Sequence, residues 1–266
     1  MKRVALSAVL ALVVNSTAAL AEEAKNSVFE LPDDPKALVI SFDHQNGFTP
    51  PRQNQAPLLS VLADGTVLMP SIFGETRDVS GKISPDELQV LLRFAIEENK
   101  FFSFDEEKVK AKMLEVERAK EVPRIADVPD SVFEIHLADR SHKVRHYALG
   151  MAREFYKEVD ELQHLLALQQ RLNRLMSETR VGGKAGIERL VKLANVELKK
   201  QYPDIKALKV EDFSGAYLRR DGVTSATISR TGKTAAGKPD GTFTAAVLEI
   251  PEEGVPKVKI RVKTKS

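Results

Sequence analysis

Three glycines within five residues constrain this chain more than any other feature. They fall in the run Val181-Gly182-Gly183-Lys184-Ala185-Gly186. Glycine takes positive φ without steric cost and weakens a helix interior by about 1 kcal/mol relative to alanine. Such a run ends one helix before another begins. The chain is therefore expected to form two units, residues 30–180 and 187–266, joined by a glycine-rich linker at 181–186. A chain of 266 residues is long enough for each unit to bury its own core.

The two parts differ in charge. Residues 181–266 carry 17 basic and 10 acidic side chains, a net of +7, whereas residues 22–180 carry 21 and 28, a net of −7. Opposite fields favour docking of one part on the other, and the basic part can orient an anionic partner. Residues 22–266 as a whole hold 38 of each sign. A uniformly cationic nucleic-acid binder is not indicated.

The first part reads as hairpin, helix, hairpin, helix. Leu38, Ile40 and Phe42 share one face of an extended run at period two. Leu58 to Pro70 reads as a hairpin turning at Asp64-Gly65 in a type I′ turn. A helix is predicted from Pro85 to about Asn99, with Leu88, Leu91, Leu92, Ala95 and Ile96 as its buried stripe and Ser84, Pro85 and Glu87 forming its start. Residues 105–121, dense in alternating charge, read as an exposed helix or an insertion. A second hairpin turns at Asp139-Arg140, and Ala152 to Ser177 reads as one long helix. The second part reads as a helix from Gly186 to Tyr202 and four strands, with Asp221-Gly222 turning between the first two. The fold class expected is α+β, with two small domains, each an antiparallel sheet packed with helices.

The amino terminus bears on compartment. Met1-Lys2-Arg3 is a short basic start, Val4 to Val14 is apolar but for Ser7, and Ala19-Leu20-Ala21 places small residues where a signal peptidase reads. This pattern predicts a secretory signal peptide over 1–21, cleaved after Ala21, and a periplasmic or extracellular product. Beyond it no apolar stretch approaches the ~20 residues of a membrane helix. The absence of cysteine removes thiol catalysis and zinc–thiolate sites.

Several residue groups suggest chemistry. Thr76 to Glu87 has the layout of a degenerate EF-hand loop, with Asp78, Ser80, Ser84 and Glu87 as calcium ligands, although Thr76 stands where the first aspartate is needed. The competing reading is a turn followed by a capped helix, and no other cofactor is expected. His142 and His146 would share a helix face, but on a strand they stand about 13 Å apart, too far for one ion. Gly232-Lys233-Thr234 ends like a phosphate loop, yet Thr227 stands where its first glycine belongs. Neither a Gly-x-Ser-x-Gly elbow nor a His-Glu-x-x-His motif is present. Lys257, Lys259, Arg261 and Lys263 alternate with Val258, Ile260 and Val262 on the last strand. Such a basic stripe can grip a polyanion or keep an edge strand from pairing with other chains.

Leu58 to Met176 resembles the emfourins, small bacterial protein inhibitors of thermolysin-like metalloproteases. The likeness lies in a strand pair, the segment Ser84-Pro85-Asp86-Glu87-Leu88 with its helix ending at Phe101-Phe102, the pair Phe133–Leu137 and His142–Tyr147, and a final helix. Residues 186–265 resemble the cystatin-like arrangement of one helix on a four-stranded sheet. These resemblances imply a binding role and carry over no inhibitory residue. The expectation is a secreted, non-catalytic binding protein with an envelope or extracellular protein as partner, and protease inhibition as its most specific form. The alternatives are a secreted hydrolase whose carboxylates assemble only in the fold and a structural protein that binds anionic glycans.

Overall fold

A computed structural model describes residues 28–47, 56–71, 78–123, 126–233 and 239–263. The predicted signal peptide and the start of the calcium loop at Thr76-Arg77 lie outside these residues. Among the described residues the fold is mixed α+β, with five helices and two antiparallel sheets of six and four strands.

The first unit is built on β1 (Leu38–Gln45), β2 (Leu59–Leu62), β3 (Thr66–Met69), β4 (Val79–Lys82), β5 (Asp130–His136) and β6 (Ser141–Tyr147). They lie in the order β4-β3-β2-β1-β5-β6. The Asp64-Gly65 turn departs from the type I′ expectation: Gly65 alone has positive φ, and three residues join the strands. This is the three-residue hairpin that places glycine last. The amide of Thr66 donates to Asp64 Oδ1 and fixes the turn. β4 was not expected as a strand. It pairs with β3 through Val67–Gly81 and Leu68–Ser80, so the supposed calcium loop is in part a sheet edge.

Helix α1 (Pro85–Arg93) starts where the capping pattern predicts. Ser84 Oγ accepts from the Glu87 amide and Glu87 returns the bond to the Ser84 amide, while a π turn over Phe94–Glu98 carries the helix on to Asn99. Helix α2 (Glu106–Ala119) occupies the charged segment. The long helix expected from Ala152 is divided into one turn, α3 (Ala152–Phe155), and α4 (Asp160–Arg180). Buried Tyr156 and Val159 leave helical geometry between them, and Asp160 and Glu161 give α4 an acidic start that complements its dipole. Gln163 Nε2 bridges the break by donating to the carbonyls of Ala152 and Tyr156. Leu88, Leu91 and Leu92 of α1 join Leu162, Leu165, Leu168 and Leu172 of α4 in one core with Ile40, Phe42 and Phe133 of the sheet. Full burial of each such side chain stabilises by about 1.5–3 kcal/mol.

The second unit has helix α5 (Gly183–Gln201) and strands β7 (Phe213–Leu218), β8 (Thr224–Lys233), β9 (Pro239–Ile250) and β10 (Lys257–Lys263) in the order β10-β9-β8-β7. The linker is shorter than expected, because α5 begins at Gly183 and takes in Gly186. Gly182, at φ 87°, ends α4 with its amide on the Thr179 carbonyl, and α5 starts at once. Leu190, Ala194 and Leu198 of α5 pack on Ala226, Ile228, Ala246 and Leu248, which form a second, separate core. The carboxyl end of α4 meets both sheets: Ser177 Oγ donates to the Ala216 carbonyl on β7, and Thr179 lies over Gly81 on β4.

Candidate binding face on the second sheet

Residues paired directly across an antiparallel sheet share a face. The pairing in the second sheet therefore sets out its outer face row by row. Lys257, Glu249, Ser225 and Tyr217 form one row across the four strands. Lys259, Val247, Thr227 and Gly215 form the next. Arg261, Ala245 and Ser229 follow, and Lys263, Phe243 and Thr231 close the grid. The other face, with Val258, Ile260, Leu248 and Ile228, packs against α5.

The face thus has a basic margin on β10, an aromatic on each of β7 and β9, and a central band of hydroxyls on β8, in which Ser225 is buried and Thr227, Ser229 and Thr231 reach the surface. All four basic residues of the stripe are exposed. Tyr217 is 59% exposed and Phe243 37%. Ser214 Oγ lies 2.6 Å from Ser229 Oγ, which extends the hydroxyl band toward β7. Glu249 is the acid within the grid. Its carboxyl is held below the usual carboxylate range, first by the hydrogen bond from Lys259 Nζ at 3.1 Å and then by charge, including that of Arg219. Among the described residues Lys257, Arg261 and Lys263 make no close ion pair, although the charge of Lys257, opposite Glu249, also lowers that carboxyl's pKa.

Because β10 is the sheet edge, its lysines also disfavour pairing with another chain. The sequence reading identified the stripe but missed Tyr217 and Phe243. Period-two alternation along β9 carries the signal for Phe243, but the register that sets it opposite Lys263 is a tertiary fact.

The residues of the supposed calcium loop are engaged elsewhere. Ser84 and Glu87 hold each other in the capping box, Asp78 Oδ1 accepts from the Ser71 amide, and Ser80 stands within β4. Among the described residues, no group of three or more His, Asp or Glu gathers as metal ligands. His142 and His146 lie on β6 with different surroundings. His142 packs edge-on to Phe101, with ring centroids 5.4 Å apart. His146 is desolvated, and burial lowers its pKa to about 4 against a weaker upward pull from Asp130. β8 runs through Gly232 to Lys233, so that end of the phosphate-loop look-alike is strand, and Thr234 lies outside the described residues.

Fold and face together define an α+β protein whose second unit presents an open, mixed-chemistry sheet. No protein family, curated protein or solved structure matches this chain at a significant level. Among the described residues no helix is long and apolar enough to cross a membrane.

Proposed function

We propose that this is a secreted, non-catalytic binding protein whose second unit grips an anionic glycan. The observation that supports this reading is the shared face of Lys257, Lys259, Arg261 and Lys263 with a hydroxyl band and two exposed aromatics. Charges on every second residue recur about every 7 Å along β10. That repeating row suits a polymer with an acid on each unit better than a single small anion. Ser and Thr hydroxyls both donate and accept, which suits sugar hydroxyls. Tyr217 and Phe243 offer flat apolar faces against which a sugar ring can rest. The amino-terminal pattern supports secretion, to the compartment in which such polymers occur.

The test is chromatography of the protein on immobilised polygalacturonate. Retention at low salt and elution as salt rises are expected, since exposed charges are strongly screened. Reversing Lys257, Lys259, Arg261 and Lys263 to glutamate should send the protein to the flow-through. Tyr217→Ala with Phe243→Ala, which keeps every charge, should elute the protein at lower salt from the glycan but leave its elution from a plain carboxylate resin unchanged. Retention that survives charge reversal would overturn the proposal. So would loss of nothing in the aromatic variant, which would mark simple ion exchange.

A further inference from the structure

A cavity of about 620 Å³ opens beside α2, in the first unit and apart from the sheet face. It is lined by Met113 and Glu117 of α2 and Glu121 after it, by His146 and Tyr147 of β6, and by Met151 and Tyr156. The volume lies within the range of small-molecule sites, and the lining is largely apolar with a few convergent polar groups.

We infer that this cavity binds a small amphipathic organic cation, its apolar body against the methionines and its charged head toward Glu117 and Glu121. Three observations argue for that occupant. First, Tyr156 Oη donates to Glu117 Oε1 at 2.6 Å, which orients the carboxylate at the cavity and leaves Oε2 for a ligand. Second, neither Glu117 nor Glu121 has a cationic partner among the described residues, whereas Lys112 and Lys120 on the same segment are paired with Glu161 and Glu158. Among the described residues no cation pairs with either acid, so the cavity carries negative charge, and His146, uncharged at neutral pH, adds no competing cation. Third, the apolar surface is adaptable. Met113 and Met151 fit irregular ligands, and Tyr147 and Tyr156 add aromatic surface that favours a cationic head.

The lining also holds a strained residue. Ala148 sits at φ 52°, the left-handed region that a residue with a β-carbon adopts at a cost, and it turns the chain from β6 into the short helical turn Leu149–Met151.

Three shape-matched probes separate charge from apolar contact: 4-phenylbutylammonium, 4-phenylbutanol and 4-phenylbutyrate. With methyl-labelled methionine, the Met113 and Met151 resonances report occupancy. The ammonium probe should shift both signals, the alcohol should bind at least fivefold more weakly, and the carboxylate should leave them unmoved. In the Glu117→Gln, Glu121→Gln variant the ammonium should fall to the affinity of the alcohol. Tyr156→Phe, which keeps the ring and both carboxylates, should weaken the ammonium several-fold and the alcohol hardly at all. Equal or tighter binding of the carboxylate, silence of both methionines with every probe, or an ammonium preference that survives the glutamine substitutions would overturn the inference. The sheet face is untouched by these substitutions, so retention on polygalacturonate should be unchanged.

Discussion

At the scale of single residues, His146 links folding to pH. Asp130 lies on the neighbouring strand β5, Arg145 precedes His146 on β6, and Glu117, Glu121, Tyr147 and Tyr156 line the same cavity. Its pKa in the fold, about 4, is far below the 6.5 of an unfolded chain, and desolvation is the main cause. Below pH 6.5 the unfolded chain takes up a proton that the native protein accepts only near pH 4. Stability that is fully present above pH 6.5 is therefore lost as pH falls through that window, by up to about 3 kcal/mol. The carboxylates act lower. Glu134, lowered first by its bond from Lys143, and Glu161, lowered first by Lys112, lose their contribution only below their ordinary value of 4.5. Urea midpoints measured from pH 7 to pH 4.5 should fall steadily for the natural protein and much less for His146→Gln. Parallel curves would mean that another group carries the loss.

At the scale of elements, α2 is the least secured helix. Val109 is its one buried residue, with Met113 and Val116 half-buried. Much of its attachment is electrostatic: Lys112 to Glu161, Lys120 to Glu158 and the Tyr156–Glu117 bond. Exposed ion pairs contribute about 0–1 kcal/mol each and weaken with salt. Amides of α2 should exchange faster than those of α1 and α4, and faster still in molar salt, where the Debye length is about 3 Å. Lys112→Ala with Lys120→Ala should reproduce the salt effect at low salt and leave the urea midpoint nearly unchanged. Exchange in α2 as slow as in α4 would refute this ordering. The same segment shows what the sequence can reveal. Local chemistry was legible: the Ser84–Glu87 box, the stripe of α1, the β5–β6 hairpin and the alternation of β10 all lie within a few residues of chain. What depends on distant partners was not. β4 is a strand only because β3 lies beside it, and the division of Ala152 to Ser177 follows from where Tyr156 and Val159 find burial. For the candidate face, one strand's stripe was legible, whereas the aromatics that complete it arrive through register.

At the scale of the whole molecule, the two cores meet around the break between α4 and α5, and two glycines set how closely. A β-carbon on Gly186 would collide with the Val181 carbonyl oxygen, a backbone atom that yields only if the chain between α4 and α5 shifts. A β-carbon on Gly81 would meet Thr179 Cγ2 at 2.7 Å, the tip of a side chain. That side chain is held by its own hydroxyl, which donates to the Leu175 carbonyl at 2.8 Å. Helix propensity alone says that Gly186→Ala, inside α5, should stabilise by about 1 kcal/mol. The packing says the reverse, because forcing a methyl into filled space and shifting backbone costs about 1–3 kcal/mol or more. The expected result for Gly186→Ala is a net loss of about 2 kcal/mol or more by urea unfolding. Gly81→Ala should lose about 1 kcal/mol, since a threonine methyl can retreat where a carbonyl cannot. Because both sites lie at the seam, their effects should not simply add: once α5 has shifted, the seam near Thr179 is looser and the double variant should lose less than the sum. A stabilised Gly186→Ala would show that α5 starts further from α4 than this close approach requires, and that the two cores are joined by a looser link.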